Sequence, residues 1–231
     1  MAKNKKAAPE AQGIENIEGA LTRAEQYIER NQKILAYTIG GIVLLVAIYL
    51  GYQKFYVQPH IEESKEVSYM AEQYFQKDSF ELALNGDGVN YGFLDLIDNY
   101  GSTPIGNLSN FYAGVCYMKL GQYEEAIPYF EEFDSEDKVL APMAIGNIGD
   151  ANFELGNYEE AIAKYIEASE LYPNDFVTPT YLYKAAQAYE ASGDLKTALE
   201  TYEKVFKEYF RTWEGRKAEK YIAILKEKLN S

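Results

Sequence analysis

The sequence predicts an all-α protein: a single N-terminal transmembrane helix, then an α-solenoid of helix pairs closed by a C-terminal cap helix. Three observations predict it. Residues 34–53 read ILAYTIGGIVLLVAIYLGYQ, twenty residues without a charge in a chain that is 25% charged. Glycine-punctuated phrases recur as KLGQYEEAIPYFEEF, ELGNYEEAIAKYIEASELYP and ASGDLKTALETYEKVF, with Gly121 and Gly156 thirty-five residues apart and Gly193 thirty-seven further on. The last stretch, TWEGRKAEKYIAILKEKLN, puts Ala218, Ile222, Leu225 and Leu229 on one helical face and many lysines on the other.

Residues 1–33 form the first segment. Ile14, Ile17, Leu21, Ala24 and Ile28 recur at alternating steps of three and four, which marks an amphipathic helix with a narrow apolar seam. Such a helix either lies in the membrane interface or pairs with a partner helix. Residues 34–53 follow as the anchor. A helix rises about 1.5 Å per residue, so this run covers roughly the 30 Å of a bilayer's hydrocarbon. A cleavable signal has a shorter apolar region and small residues after it, whereas here KFYVQPHIEESKE follows. The run therefore reads as an uncleaved signal anchor. Tyr37, Tyr49, Tyr52, Phe55 and Tyr56 gather toward its ends, where aromatic rings settle among headgroups.

Six basic residues precede the span (Lys3, Lys5, Lys6, Arg23, Arg30, Lys33), while only Lys54 and Lys65 stand in the first twenty residues after it. The positive-inside rule places the N-terminus in the cytoplasm and everything from about Tyr52 onward outside. The chain has 22 basic and 36 acidic residues and a net charge of −14; the part beyond the anchor carries −15. That balance disfavours nucleic acid and repels anionic lipid surfaces. The single cysteine, Cys116, allows no intrachain disulfide and sits on an apolar helical pattern, where it reads as a small buried hydrophobe.

Residues 54–105 read as a linker and a divergent first helical pair. IEESKEVSYMAEQYFQKDSFELAL has helical periodicity and YGFLDLIDNYG reads as a short helix, with the turn-rich NGDGVN between them. NGDG suggests a calcium loop, but counting from Asn85 or Ala83 puts Leu96 or Leu94 where a bidentate Glu belongs.

Residues 106–212 hold three repeats. The first helix of each pair ends at the Gly of LGQY, LGNY or SGDL, because Gly takes the left-handed conformation at a helix C-terminus without penalty. Gly114, Gly149 and Ala186 on the first helices, and Ala126, Ala161 and Ala198 on the second, are small where the paired helices cross. Short pairs of this kind cannot bury their own apolar faces, so stacking completes the core and creates a curved surface. Gly114, Tyr117, Gly121, Tyr123, Ala126 and Phe130 in the first copy, Gly149, Gly156, Tyr158, Ala161, Tyr165, Ala168 and Pro173 in the second, and Ala186, Tyr189, Gly193, Leu195, Ala198 and Tyr202 in the third, resemble the tetratricopeptide repeat. Asn152, Phe133 and Val205 depart from its pattern, and NDFVTPT stretches the spacing before the third copy. Residues 213–231 are the cap helix, with Trp213 expected to anchor it by packing.

No catalytic constellation is legible. His60, the only histidine, has no cysteine companion, so neither a metal cluster nor a histidine-based triad has its parts. The pairs Glu124 and Glu125, and Glu159 and Glu160, read as solvated surface. The chain is therefore expected to be no enzyme and to take no cofactor or metal. Binding remains. In tetratricopeptide repeats the first helix of each pair lines a concave groove, and the resemblance carries this to Phe111, Val115 and Met118, to Met143, Asp150 and Phe153, and to Tyr183 and Gln187. The Lys, Arg and Asn with which some such repeats clamp chaperone carboxylates are missing at these places. An apolar, aromatic and Met-containing lining suits varied extended segments; the competing reading is that several of these side chains are core.

The order of segments, and the phrase YGSTPIGNLSNFYAGVCYMKLGQYEEAI, resemble the bacterial membrane-anchored tetratricopeptide proteins that are ancillary to the Sec translocon and, with a membrane-anchored prolyl isomerase, form a periplasmic chaperone network. The resemblance implies protein partners of that kind, or exported clients, and no enzymatic activity. The alternative is a structural scaffold or adaptor of another cell-envelope complex, in division or secretion machinery.

Overall fold

The computed structural model describes residues 9–230, with side chains described for Arg23 and from Glu25 onward. Every described element is helical. The chain divides into two compact units, Met1–Pro59 and His60–Ser231.

The first unit is α1 (Pro9–Tyr52) followed by a π-helical turn, Gln53–Val57. Its most apolar eighteen-residue window has a mean hydropathy of 2.3 and no buried side chain, so one helix here is long and apolar enough to cross a membrane. A core helix of a soluble protein would have this face covered. Thr38, near the start of the run, satisfies its hydroxyl by donating to the Ile34 carbonyl at 2.8 Å. Of the seam expected at the N-terminus, the side chains of Ile14, Ile17, Leu21 and Ala24 lie outside the described residues, and Ile28 is exposed.

The second unit holds α2 (Gln58–Gln76), α3 (Phe80–Asn85), α4 (Phe93–Tyr100), α5 (Pro104–Lys119), α6 (Tyr123–Glu132), α7 (Leu140–Glu154), α8 (Tyr158–Leu171), α9 (Val177–Ser192), α10 (Leu195–Tyr209) and α11 (Trp213–Asn230). The continuous helical pattern from Ile61 to Leu84 is in fact two helices. Asp78 takes a φ of 56°, and Ser79 donates back to the Tyr74 carbonyl at 2.9 Å, which closes α2 despite its unbroken periodicity. His60, expected in the linker, belongs to α2, its ring 4.8 Å from that of Tyr100.

Between α3 and α4 the NGDG turn is organised by Asp87. Its carboxylate accepts from the backbone N–H groups of Val89 (2.9 Å) and Asn90 (2.7 Å), from the Asn90 side chain (2.9 Å) and from the Tyr74 hydroxyl (2.7 Å). The Asn90 backbone bond leads in holding this carboxyl far below the usual carboxylate range.

The repeats form as α5/α6, α7/α8 and α9/α10. Gly121, Gly156 and Gly193 turn each pair at φ of 75°, 79° and 91°, the left-handed region expected of them. At Gly114 and Gly149 an added Cβ would meet the Phe130 ring at 2.8 Å and the Tyr165 ring at 2.7 Å, so the partner helix packs against bare backbone. Ala126, Ala161, Ala186 and Ala198 are fully buried. The stretched NDFVTPT is a capped turn in which Asn174 accepts from the N–H groups of Phe176 (2.9 Å) and Val177 (2.8 Å) to start α9. Asn152, standing where an aromatic was expected, donates to the Ile148 carbonyl at 3.0 Å and accepts from Asn157 at 3.3 Å.

Both ends of the repeat array share a corner whose sequence is Tyr-x-x-Thr-x-x-Gly. Thr103 and Thr212 each donate their hydroxyl to the carbonyl of Tyr100 or Tyr209, at 2.8 and 2.9 Å, and each accepts at 3.1 Å from the N–H of Gly106 or Gly215. The two glycines lie so close to those tyrosine carbonyls that a Cβ would overlap them. The corner thus delivers α5 and α11 tightly against the preceding helices.

Four hydrophobic clusters follow one another: around α2 to α5, then α5 to α7, α7 to α9 and α8 to α11. Each repeat is held by its neighbours, as in any solenoid. Cys116 is fully buried in the first cluster, and burial pushes its thiol up to about 12, which leaves it inert. Trp213 does not anchor the cap by burial: 57% of it is exposed. It holds the Lys217 ammonium 4.2 Å from its ring centre instead, while Ala218 and Leu225 are the residues buried beneath the cap.

Candidate functional site

The backbones of successive first helices approach closely, α5 to α7, α7 to α9 and α9 to α11, whereas those of α6, α8 and α10 stay farther apart from one another among the described residues. The first helices are therefore the crowded inner layer and line the concave side. On that side lies a cleft of about 440 Å³ lined by Val115, Met118, Lys119, Tyr123, Asn147, Asp150, Phe153, Glu154 and Tyr165. A recess of about 140 Å³ shares Asp150, Phe153 and Tyr165 with it and adds Lys184 and Gln187.

Five of the eight groove residues expected from the sequence, Val115, Met118, Asp150, Phe153 and Gln187, line these two spaces. Two others point into the core. Phe111 is 7% exposed and packs against Phe130 and Phe133 at ring distances of 5.8 and 5.3 Å. Tyr183 is 4% exposed and packs edge-on against Tyr202 at 5.4 Å. Met143 is half-buried against the Phe111 cluster.

The reason is positional. Phe111 and Tyr183 each stand three residues before a small crossing residue, Gly114 and Ala186, and their rings pack on rings of the paired helix, Phe111 on Phe130, which is itself seated on Gly114, and Tyr183 on Tyr202. In the middle repeat the equivalent position is Gly146, and there the Tyr181 ring from the next repeat takes the place, so close that a Cβ on Gly146 would overlap it. This ring is stacked on Tyr165 at 6.4 Å.

The polar centre of the groove is a triad absent from the sequence reading except for Asp150. The Asp150 carboxylate accepts from the Tyr165 hydroxyl at 2.7 Å, and Lys184 donates to both carboxylate oxygens at 2.8 and 2.7 Å. The Lys184 ammonium also lies 5.5 Å from the Tyr181 ring centre and 5.9 Å from that of Tyr165. Lys184 was findable, because it follows Asp150 by 34 residues, about one repeat, and such a spacing juxtaposes side chains on neighbouring first helices. Tyr165 stands out in the sequence only as a residue of the repeat pattern. Burial first, then the Asp150 charge and hydrogen bond, push the Tyr165 phenol far above the ordinary tyrosine range; burial leads in raising Tyr181 and Tyr202 likewise.

These tyrosines set an alkaline limit. Above the ordinary tyrosine value of 10.0 the unfolded chain loses phenolic protons that the folded chain keeps, so stability is full below that pH and falls as pH rises past it. Each of the three contributes a slope of about 1.4 kcal/mol per pH unit at most. Denaturant titrations across this range are expected to show a steep decline, shallower after Tyr202→Phe.

Tetratricopeptide repeat models match residues 140–207 and residues 108–133. The helix pairs α5 to α10 are therefore tetratricopeptide repeats. No curated protein matches the chain in sequence. Two crystal structures of nearly identical TPR-like repeats of a kinesin light chain from Podosopora anserina are similar, each at 16% identity. One has a TM-score of 0.57 over 72% of this chain and 86% of that one, the other 0.55 over 70% and 84%. A crystal structure of MamA is similar at 19% identity and a TM-score of 0.52, over 72% of this chain and 92% of that one. At these identities the likeness is one of fold.

Proposed function

We propose that this chain is a membrane-anchored, non-enzymatic tetratricopeptide repeat protein that receives extended polypeptide on the face formed by α5, α7 and α9. Residues 1–33 lie in the cytoplasm, residues 34–53 cross the inner membrane once, and the repeats stand on the periplasmic side, as an accessory of the Sec translocon and its chaperone network. Partners are the translocon, a membrane-anchored prolyl isomerase or exported clients.

One observation carries the reading: a concave cleft in which Val115, Met118 and Phe153 stand among Lys119, Asn147 and Glu154, with the Asp150–Lys184 ion pair where the cleft meets its recess. The apolar side chains suit partners of differing shape, Met being the most adaptable, while the exposed edges of Asp150 and Lys184 offer both an acceptor and a donor to a passing backbone. Tetratricopeptide repeats as such support a protein-interaction or scaffold role. Met118→Glu with Phe153→Glu is expected to lower capture of exported chains about tenfold, measured by crosslinking yield in membranes. Unchanged capture, or one stoichiometric partner retained by the double variant, points instead to a scaffold that binds by another face.

A further inference from the structure

A second surface lies away from the groove, where the end of α10 meets the start of α11. Phe206 and Phe210, 38% and 55% exposed, floor a cleft of about 550 Å³ walled by Lys207, Arg211 and Arg216. The Arg211 guanidinium stands 5.5 Å from the Phe210 ring centre, and Arg216 donates to the Arg211 carbonyl at 3.4 Å. None of the three cations forms an ion pair among the described residues; the lysines that do are Lys164, Lys184, Lys226 and Lys228. Of the acids nearest in sequence, Glu208, Glu214 and Glu219, none lines the cleft, and Glu214 accepts from the Thr180 hydroxyl at 3.1 Å.

Three cations without an ion pair among the described residues, set around two exposed rings, are out of character for a chain of net charge −14. We infer that this cleft binds an acidic polypeptide segment carrying an aromatic or aliphatic side chain, the apolar residue seated on Phe206 and Phe210 and its flanking carboxylates on Lys207, Arg211 and Arg216. Planar guanidinium groups suit carboxylates because two N–H donors meet two oxygens. Charge selects the occupant. An extended anionic bilayer meets the field of the whole acidic domain and is repelled, whereas a short segment is governed by charges within a Debye length of about 8 Å. Phe206 and Phe210, the two apolar residues lining this cleft, set its apolar anchor.

The test uses the full chain in phosphatidylcholine nanodiscs and a short labelled peptide of Glu and Asp punctuated by Phe, followed by fluorescence anisotropy. Binding is expected that weakens as salt rises and that falls about tenfold or more in Arg211→Glu with Arg216→Glu. Both side chains are exposed, so the variant's circular dichroism should match the parent. It should also leave crosslinking from the groove unchanged, which keeps failure of this inference distinct from failure of the groove reading. Absence of peptide binding, binding indifferent to the double substitution, or equal binding of a Lys-for-Glu control peptide overturns the inference. So does capture of phosphatidylglycerol vesicles in preference to peptide, or self-association of the chain abolished by the same substitutions.

Discussion

Gly106→Ala is expected to destabilise the repeat unit by about 2–3 kcal/mol, although Ala is favoured over Gly inside a helix by about 0.5–1 kcal/mol. The reason is a backbone contact. The new methyl would overlap the Tyr100 carbonyl and lie 2.7 Å from the Gly101 Cα, and a carbonyl held by both the N–H and the hydroxyl of Thr103 at 2.8 Å cannot swing aside. Relief requires α5 to move off α4, which opens the cluster around Phe93, Leu96 and Cys116. Gly215→Ala should do the same at the other end, where the methyl would meet the Tyr209 carbonyl carbon at 2.6 Å and the Phe210 Cα at 2.8 Å. Guanidinium unfolding followed by circular dichroism measures both. A neutral or stabilising result for either would show that the corner is looser than its geometry.

Asp150→Ala is the second large effect, and it acts on the groove. It strands the hydroxyl of Tyr165, which is 3% exposed and whose bond to this carboxylate is 2.7 Å. Leaving such a donor without a partner costs about 1–3 kcal/mol. Lys184→Met should cost less, about 1 kcal/mol or below, because the ammonium is one-third exposed and Tyr165 keeps its acceptor. With Asp150 gone, the Tyr165 phenol is expected to ionise at lower pH than in the parent, since two of the causes that raise it disappear while burial remains. Tyrosinate absorbance against pH reads that shift, and denaturant unfolding reads the stability. Equal costs for the two substitutions would mean that Lys184, rather than Tyr165, depends on the carboxylate.

These two sites mark the limits of what the sequence discloses. The repeats were legible because Gly121, Gly156 and Gly193 obey a local rule of helix termination, and small residues at Gly114 and Gly149 obey a rule of close crossing. Most of the groove followed from position within the repeat: Val115, Met118, Asp150, Phe153 and Gln187 all reach it. Phe111 and Tyr183 did not, because each packs on a ring of the paired helix, Phe130 or Tyr202, an effect of the partner helix that no single helix reveals. Tyr181 filling the place at Gly146 is likewise a contact between repeats. The break at Asp78 escaped because α2 and α3 keep one apolar periodicity across a left-handed residue. The corner motif was available as Tyr-x-x-Thr-x-x-Gly at Tyr100 and Tyr209, yet it means little until the carbonyl, hydroxyl and N–H are seen together.

The most direct test of the groove reading is photocrosslinking in intact membranes from a photoreactive residue replacing Phe153, with mass spectrometry of what is captured. Phe153 lines both the cleft and its adjoining recess, so a segment lying along α5, α7 and α9 must pass it. The account predicts diverse exported chains, captured less when Met118 is Glu. A single captured protein in fixed stoichiometry, or no capture above a residue placed on α8, would contradict it.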